Sequence, residues 1–204
     1  VARLARGVNV ERAPELRDQV LAGELNQPTC PGCARRLFAS VPLIYSDAPR
    51  GHWITVAPIE DLARWRDTEA EVLAVARATL ATPAAAVTIP HGTVRVVFDV
   101  DELRERLTIW NAGFDDAAVE CVKAASLAER PNLREPDERV RLLEVTPAAA
   151  LVFAAVRASV PRAIRMTWTV ERATADRIAA DPAWRTTMPE LFAPGFVSID
   201  RYLR

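Results

Sequence analysis

The chain has 204 residues, half of them hydrophobic, with 26 basic and 27 acidic side chains and a formal net charge of -1. That is apolar chain enough for one large or two small cores, and the charge balance argues against a dedicated binder of nucleic acid or anionic membrane. No apolar run is long enough to span a bilayer, the start lacks a signal peptide's charged-then-apolar layout, and three cysteines make no disulfide framework. The expectation is therefore a soluble protein of a reducing cytoplasm. Abundant Ala and Arg with little Lys suggest a GC-rich bacterial genome. The first residue is Val rather than Met, which fits a GTG start or residues further upstream.

Val8-Asn9-Val10 reads as a short strand. A short amphipathic helix follows over residues 12–23, with Pro14 suited to its first position and Gly23 to its C-terminal cap. Leu16 and Val20 share one face, with Leu21 beside them. Next comes Pro28-Thr29-Cys30-Pro31-Gly32-Cys33-Ala34-Arg35-Arg36. Two cysteines three apart can aim both sulfurs at one ion across a tight turn, and such a pair is half of a four-ligand zinc site. Pro31 stiffens the turn, and Gly32 is expected to take the positive φ that closes it. Small Ala34 leaves room beside the second sulfur.

Residues 37–41, 43–45 and 52–56 are β-type runs, separated by Pro42 and by the turn Asp47-Ala48-Pro49-Arg50-Gly51. A Cys turn inside a small antiparallel sheet is the layout of a zinc ribbon. Pro58 opens a helical stretch with Leu62 and Trp65, and Asp67 is expected to cap its continuation, whose apolar stripe is Val72, Leu73, Ala76 and Leu80. Residues 82–86 are a break. Residues 94–98 form a strand and Asp99 caps the next helix, in which Leu103, Leu107 and Trp110 line a buried face. Gly113 ends it. Asp115 and Asp116 start another, where negative charge suits the helix N-terminus, and Val119, Val122 and Ala125 face inward. Residues 129–137, with Pro131 and Pro136, read as a linker. Beyond it, residues 140–145, 150–156 and 163–170 look like strands, the Ala-rich middle one being compatible with helix as well. Residues 171–180 read as a helix closed by Asp181-Pro182, and 196–203 as a last strand.

Several of these pieces, in order and spacing, resemble the CpXC family, named for its Cys-Pro-x-Cys motifs. They are Val8-Asn9-Val10, Pro14-Glu15-Leu16-Arg17, Gly23-Glu24-Leu25-Asn26, Cys30-Pro31-Gly32-Cys33 and Pro42-Leu43-Ile44-Tyr45-Ser46-Asp47. Val94-Arg95-Val96-Val97-Phe98, Leu103-Arg104-Glu105-Arg106-Leu107 and Phe114-Asp115-Asp116 complete the set. The likeness covers most of residues 1–125. It implies a metal-binding, ribbon-like module, usually with two Cys-Pro-x-Cys pairs. The second pair corresponds to Cys30 and Cys33; the first would lie upstream of Val8, where this chain has no cysteine. The resemblance thus implies a two-cysteine half site for zinc and transfers no catalytic residue.

Each candidate has a functional and a plain reading. Cys30 and Cys33 are zinc ligands, or a metal-free turn held by hydrogen bonds. Cys-Pro-Gly-Cys also resembles dithiol oxidoreductase motifs, which place the first Cys at a helix N-terminus after a buried strand, whereas a polar, proline-broken stretch precedes it here. His52 lies opposite Asp47 in a hairpin and is a third ligand, an acid–base partner or a surface histidine. His91 reads as a turn residue. Cys121 reads as a buried small hydrophobe. Asp115, Asp116 and Glu120 are an acid–base or Mg²⁺ cluster, or simply helix-start carboxylates. Arg35, Arg36 and Arg50 are a basic edge or a solvated face. Trp53, Trp65, Trp110, Trp168 and Trp184 are spread as core anchors.

The resulting expectation is an α+β protein. Residues 1–128 form a CpXC-like domain, a small antiparallel ribbon-like sheet with packed helices, and residues 138–204 a C-terminal sheet-and-helix unit. The function expected is that of a non-catalytic interaction or scaffold protein with a protein partner, no membrane and no nucleic acid, and with zinc at Cys30 and Cys33 if two more ligands exist. The alternatives are an enzyme, or an accessory subunit of one, with a site near Asp47, His52, Asp115 and Asp116, and a dithiol redox protein.

Overall fold

The computed structural model describes residues 4–37, 39–82, 92–157 and 163–203. It is an α+β protein with one four-stranded and one three-stranded sheet. The chain divides into two compact units, Val1–Arg104 with Pro194–Phe196, and Glu105–Ala193 with Val197–Arg204. Among the described residues no helix is long and apolar enough to cross a membrane.

The first unit is built on strands β1 (Gly7–Asn9), β2 (Leu43–Asp47), β3 (His52–Val56) and β4 (Thr93–Val97), in that spatial order. The β2–β3 hairpin is antiparallel, and β1 and β4 extend it on either side as parallel neighbours. The expected antiparallel ribbon is thus the centre of a mixed sheet. Alternation sets its buried face: Leu43, Tyr45 and Asp47 are buried while Ile44 is exposed. Gly51, at φ +67, closes the hairpin through its N–H to the Ala48 carbonyl at 2.9 Å.

Helix α1 (Pro14–Ala22) starts at its proline and ends at Gly23, which takes φ +69, as the sequence implies. Its inward residue Val20 is fully buried. A 3-10 turn over Ile59–Arg64 leads into α2 (Trp65–Leu80), so Asp67 lies inside the first turn of α2 instead of capping it. Trp65, Val96, Phe98 and Phe196 form a small aromatic core, in which the Phe98 and Phe196 rings meet edge to face at 4.8 Å. Gly195 bridges to Arg95, donating to the Val94 carbonyl at 3.3 Å and accepting from Val96 N–H at 3.1 Å, so residues 194–196 occupy the outer edge of β4.

Of the expected strand over 37–41, the described residues, Leu37 and 39–41, form no strand. Their polar groups are answered elsewhere: Leu37 N–H by Pro28, Ala39 N–H by Asn26, and the Ser40 hydroxyl by Glu60. Residues 83–86 and His91, read as break and turn, lie outside the described residues.

Helix α3 (Val100–Asn111) gives its first turn to the first unit and its remainder to the second. Asp99 caps it, accepting Glu102 N–H at 2.6 Å, and Gly113 closes it at φ +72. In the second unit, α4 (Asp116–Glu129) and α5 (Arg172–Ala179) pack with the antiparallel sheet of β5 (Glu138–Val145), β6 (Leu151–Arg157) and β7 (Ile164–Val170). The Ala-rich segment is therefore strand. Its core joins Ile109, Val119, Val122, Leu142, Phe153 and Trp168, the last two rings stacked at 5.7 Å. Within residues 129–137, read as a linker, Leu133 is buried in this core. A short helix α6 (Ala183–Thr187) follows α5. The expected last strand, 196–203, is instead a 3-10 turn over Ile199–Arg201: Ser198 caps it through Asp200 N–H, and Glu120 accepts Ile199 N–H at 2.9 Å.

Candidate metal-binding turn and buried charge cluster

The Cys30–Cys33 turn is closed by its own backbone. Cys30 N–H donates to the Arg35 carbonyl at 2.8 Å, Ala34 N–H to the Cys30 carbonyl at 2.9 Å, and Leu37 N–H to the Pro28 carbonyl at 2.9 Å. Thr29 and Arg36 form an isolated antiparallel bridge at its base. The residue that takes the positive φ is Ala34, at +55°, and not Gly32 as expected. The strain therefore falls on a residue with a Cβ, just after the second sulfur.

The Cys30 thiol lies below the ordinary thiol range because its sulfur accepts the backbone N–H groups of Gly32 and Cys33, aided by the Cys33 side chain. N–H groups aimed at a sulfur favour the thiolate, which is the form that ligates metal. Cys33 and its neighbours from Pro31 to Leu37 are exposed. The pair follows an isolated bridge and opens no helix, unlike the first Cys of a dithiol oxidoreductase. Cys30 and Cys33 lie in this one turn. Among the described residues, no group of three or more His, Cys, Asp or Glu comes together in a way that could hold a metal ion.

Asp47 and His52 are register partners across the β2–β3 hairpin, as their spacing suggests. Asp47 is fully buried, and its Oδ2 accepts from Arg50 at 2.9 Å and from the Tyr45 hydroxyl at 3.2 Å, with Arg17 at 3.7 Å. Burial first, then the charge of Asp47, pushes the Tyr45 phenol up to about 12. Arg50 is thus committed to Asp47. Arg35 and Arg36 are exposed, and Arg36 lies 3.7 Å from Glu24.

In the second unit Asp115 is an exposed N-cap that accepts Ala118 N–H at 3.0 Å. Asp116 is buried and accepts Ala117 N–H at 3.0 Å. Glu120 is fully buried, accepting from Arg106 at 2.8 Å, Lys123 at 2.7 Å and Ile199 N–H at 2.9 Å. Burial raises its pKa, but Lys123 and Arg106 win and hold it at about 2. The three acids of the sequence cluster thus divide into a cap, a buried helix-start acceptor and an ion-pair centre. Cys121 is buried with Leu191 and Val197, and burial, with Glu120 and Asp115 nearby, pushes its thiol up to about 12.

Glu120 belongs to a cluster that periodicity does not reveal. Lys123 Nζ lies 2.7 Å from both Glu120 and Glu105. Glu105 also accepts Leu142 N–H at 2.5 Å and lies 3.5 Å from Arg141, while Arg139 and Arg141 approach Asp200 at 3.3 and 3.8 Å. All of these side chains are buried. One signal was present: Lys123 is the chain's single lysine, three residues from Glu120 and next to apolar Val122. The tryptophans fall in separate elements, Trp65 and Trp168 in the two cores and Trp184 donating to the Ile178 carbonyl at 2.8 Å.

A family model described as CpXC protein matches residues 1–123. No curated protein and no solved structure matches the chain.

Proposed function

The chain belongs to the CpXC protein family, and from that membership we propose that it is a non-catalytic interaction protein whose Cys-Pro-Gly-Cys turn supplies two thiolate ligands to a structural zinc ion. The observation that carries the reading is the turn itself, closed by Cys30 N–H to the Arg35 carbonyl at 2.8 Å and Ala34 N–H to the Cys30 carbonyl at 2.9 Å, which holds the two cysteines three residues apart at an exposed tip. Such a turn presents its two sulfurs on a backbone that is already set, so little ordering remains to be done when metal binds. Zinc would lock this already closed tip as a platform for a protein partner, with exposed Arg35, Arg36 and Leu37 around it. The acids that an enzyme would need are engaged in other work: Asp47 with Arg50 and Tyr45, Asp115 as a cap, and Glu120 held ionised by Lys123 and Arg106.

The test is Cys30→Ala with Cys33→Ala in one chain. Elemental analysis should find bound zinc in the parent and none in the variant, and the variant should lose capture of the parent's protein partners. Equal zinc in both proteins, or unchanged capture by the variant, contradicts the reading.

A further inference from the structure

We infer that the second unit pairs with a second copy of this chain through the open edge of its sheet, β7 running antiparallel to the other copy's β7 about a two-fold axis at Trp168. The inference concerns a different unit from the Cys turn and does not rest on the zinc reading. A sheet edge carries a row of main-chain donors and acceptors that invites another strand. The chain deals with its other edges. On β5, Glu105 accepts Leu142 N–H at 2.5 Å and Arg134 donates to the Glu138 carbonyl at 2.8 Å. Residues 194–196 lie along β4, and β1 is only three residues long. Strand β7 is seven residues long and holds no proline, and among the described residues β6 is its one hydrogen-bonded neighbour strand.

The sequence of β7 complements its own reverse. An axis at Trp168 sets Arg165 opposite Glu171 of the second copy, Met166 opposite Val170 and Thr167 opposite Thr169, each of them twice, and Trp168 opposite itself. These are opposite charges, apolar side chains, hydroxyls and rings, all pairs that stabilise neighbouring strands. Moving the axis by one residue removes the charge pair, so charge complementarity selects this register. The backbone is ready for it. Residues 166–170 pair with β6 without irregularity, the register shift falling before Met166, and Glu171 is still extended at φ -62 and ψ 146. Arg165 holds Glu138 and the Asn132 and Leu133 carbonyls through Nε and Nη2. Among the described residues its Nη1 has no partner, which leaves it for the carboxylate across the axis. The faces agree too: Trp168 and Val170 belong to the unit's core, whereas Thr167, Thr169 and Glu171 are exposed. A two-fold axis normal to the sheet keeps each face on its own side, so the stack of Phe153 on Trp168 at 5.7 Å continues into that of the second copy.

The experiment is light-scattering mass on the full chain over a range of concentrations, with the two exposed threonines altered. The expected result for the parent is twice the chain mass. Thr167→Lys with Thr169→Lys sets lysine against lysine on both sides of the axis and should halve that mass. Thr167→Glu with Thr169→Lys sets opposite charges there and should keep the dimer. Hydrogen exchange on the unaltered parent needs no variant: the amides of residues 165–171 should gain protection as concentration rises. A monomeric parent overturns the inference, as does a double-lysine variant that stays dimeric or a charge-paired variant that is monomeric. If the variants do not fold, the exchange arm decides: protection that does not change with concentration means that a second copy does not cover this edge, and overturns the inference as well.

Discussion

Lys123 is the only ammonium side chain in a chain that otherwise uses arginine, and it is wholly buried between Glu105 and Glu120. A compact point charge serves two carboxylates at 2.7 Å each, where a planar guanidinium would need more room. Removing one member of such a cluster leaves its partners buried and unpaired, which costs far more than the pair itself contributes. Lys123→Met is therefore expected to lose about 3–5 kcal/mol of unfolding free energy by denaturant titration; a loss under about 1 kcal/mol would show the cluster to be energetically idle. Glu120 adds a pH dependence with a definite sign. Its folded pKa of about 2 is below the ordinary 4.5, so its contribution is complete above 4.5 and disappears as pH falls through 2. Glu120→Gln should flatten stability across that window, and an acid limb identical to the parent's would refute the assignment. In the Cys turn, Ala34 at φ +55 makes its own prediction. A β-branched residue resists the left-handed region, at about 1–2 kcal/mol. Ala34→Val should weaken zinc binding roughly tenfold in a competition titration, whereas Ala34→Gly should not weaken it.

At the scale of elements, what could be read from the sequence was what is local. Pro14, Gly23, Asp99, Gly113 and Asp115 mark helix ends because a cap is made within a few residues of the backbone it serves. The β2–β3 hairpin, with Asp47 opposite His52, follows from alternation about a glycine turn. Leu37, Ala39 and residues 196–203 misled the pattern because their backbone groups are answered by residues distant in sequence, Pro28 and Asn26 for the first two and Glu120 for Ile199. An apolar run then resembles a strand without having a strand partner. Residues 194–196 are a further case, since nothing local shows that they line β4. Gly195 sits at φ +105, and a Cβ there would collide with the Glu69 carboxylate, which also accepts Phe196 N–H at 2.7 Å. Gly195→Ala is expected to cost about 2–4 kcal/mol of stability. The same change in a Glu69→Ala background should cost clearly less, as a double-mutant cycle can measure. Equal costs in both backgrounds would mean that the collision is not the cause.

For the whole molecule, the α+β class followed from hairpin-like strand runs set apart from helical stretches. The buried charges did not, because composition counts ionised groups but not their pairing. A net charge of -1 gives no hint that Glu105, Arg106, Glu120, Lys123, Arg139, Arg141 and Asp200 are all buried in one unit. Family membership was legible from the order of short motifs over the matched residues 1–123, each of them weak alone. The Cys-Pro-Gly-Cys spacing pointed to the turn, but which residue takes the strain depended on the backbone. X-ray absorption at the zinc edge of the purified full chain tests the central claim most directly. The account predicts a first shell containing sulfur at about 2.3 Å, lost in the Cys30→Ser, Cys33→Ser variant. Zinc surrounded only by nitrogen and oxygen at about 2.0–2.2 Å, or a folded chain without zinc, would contradict it.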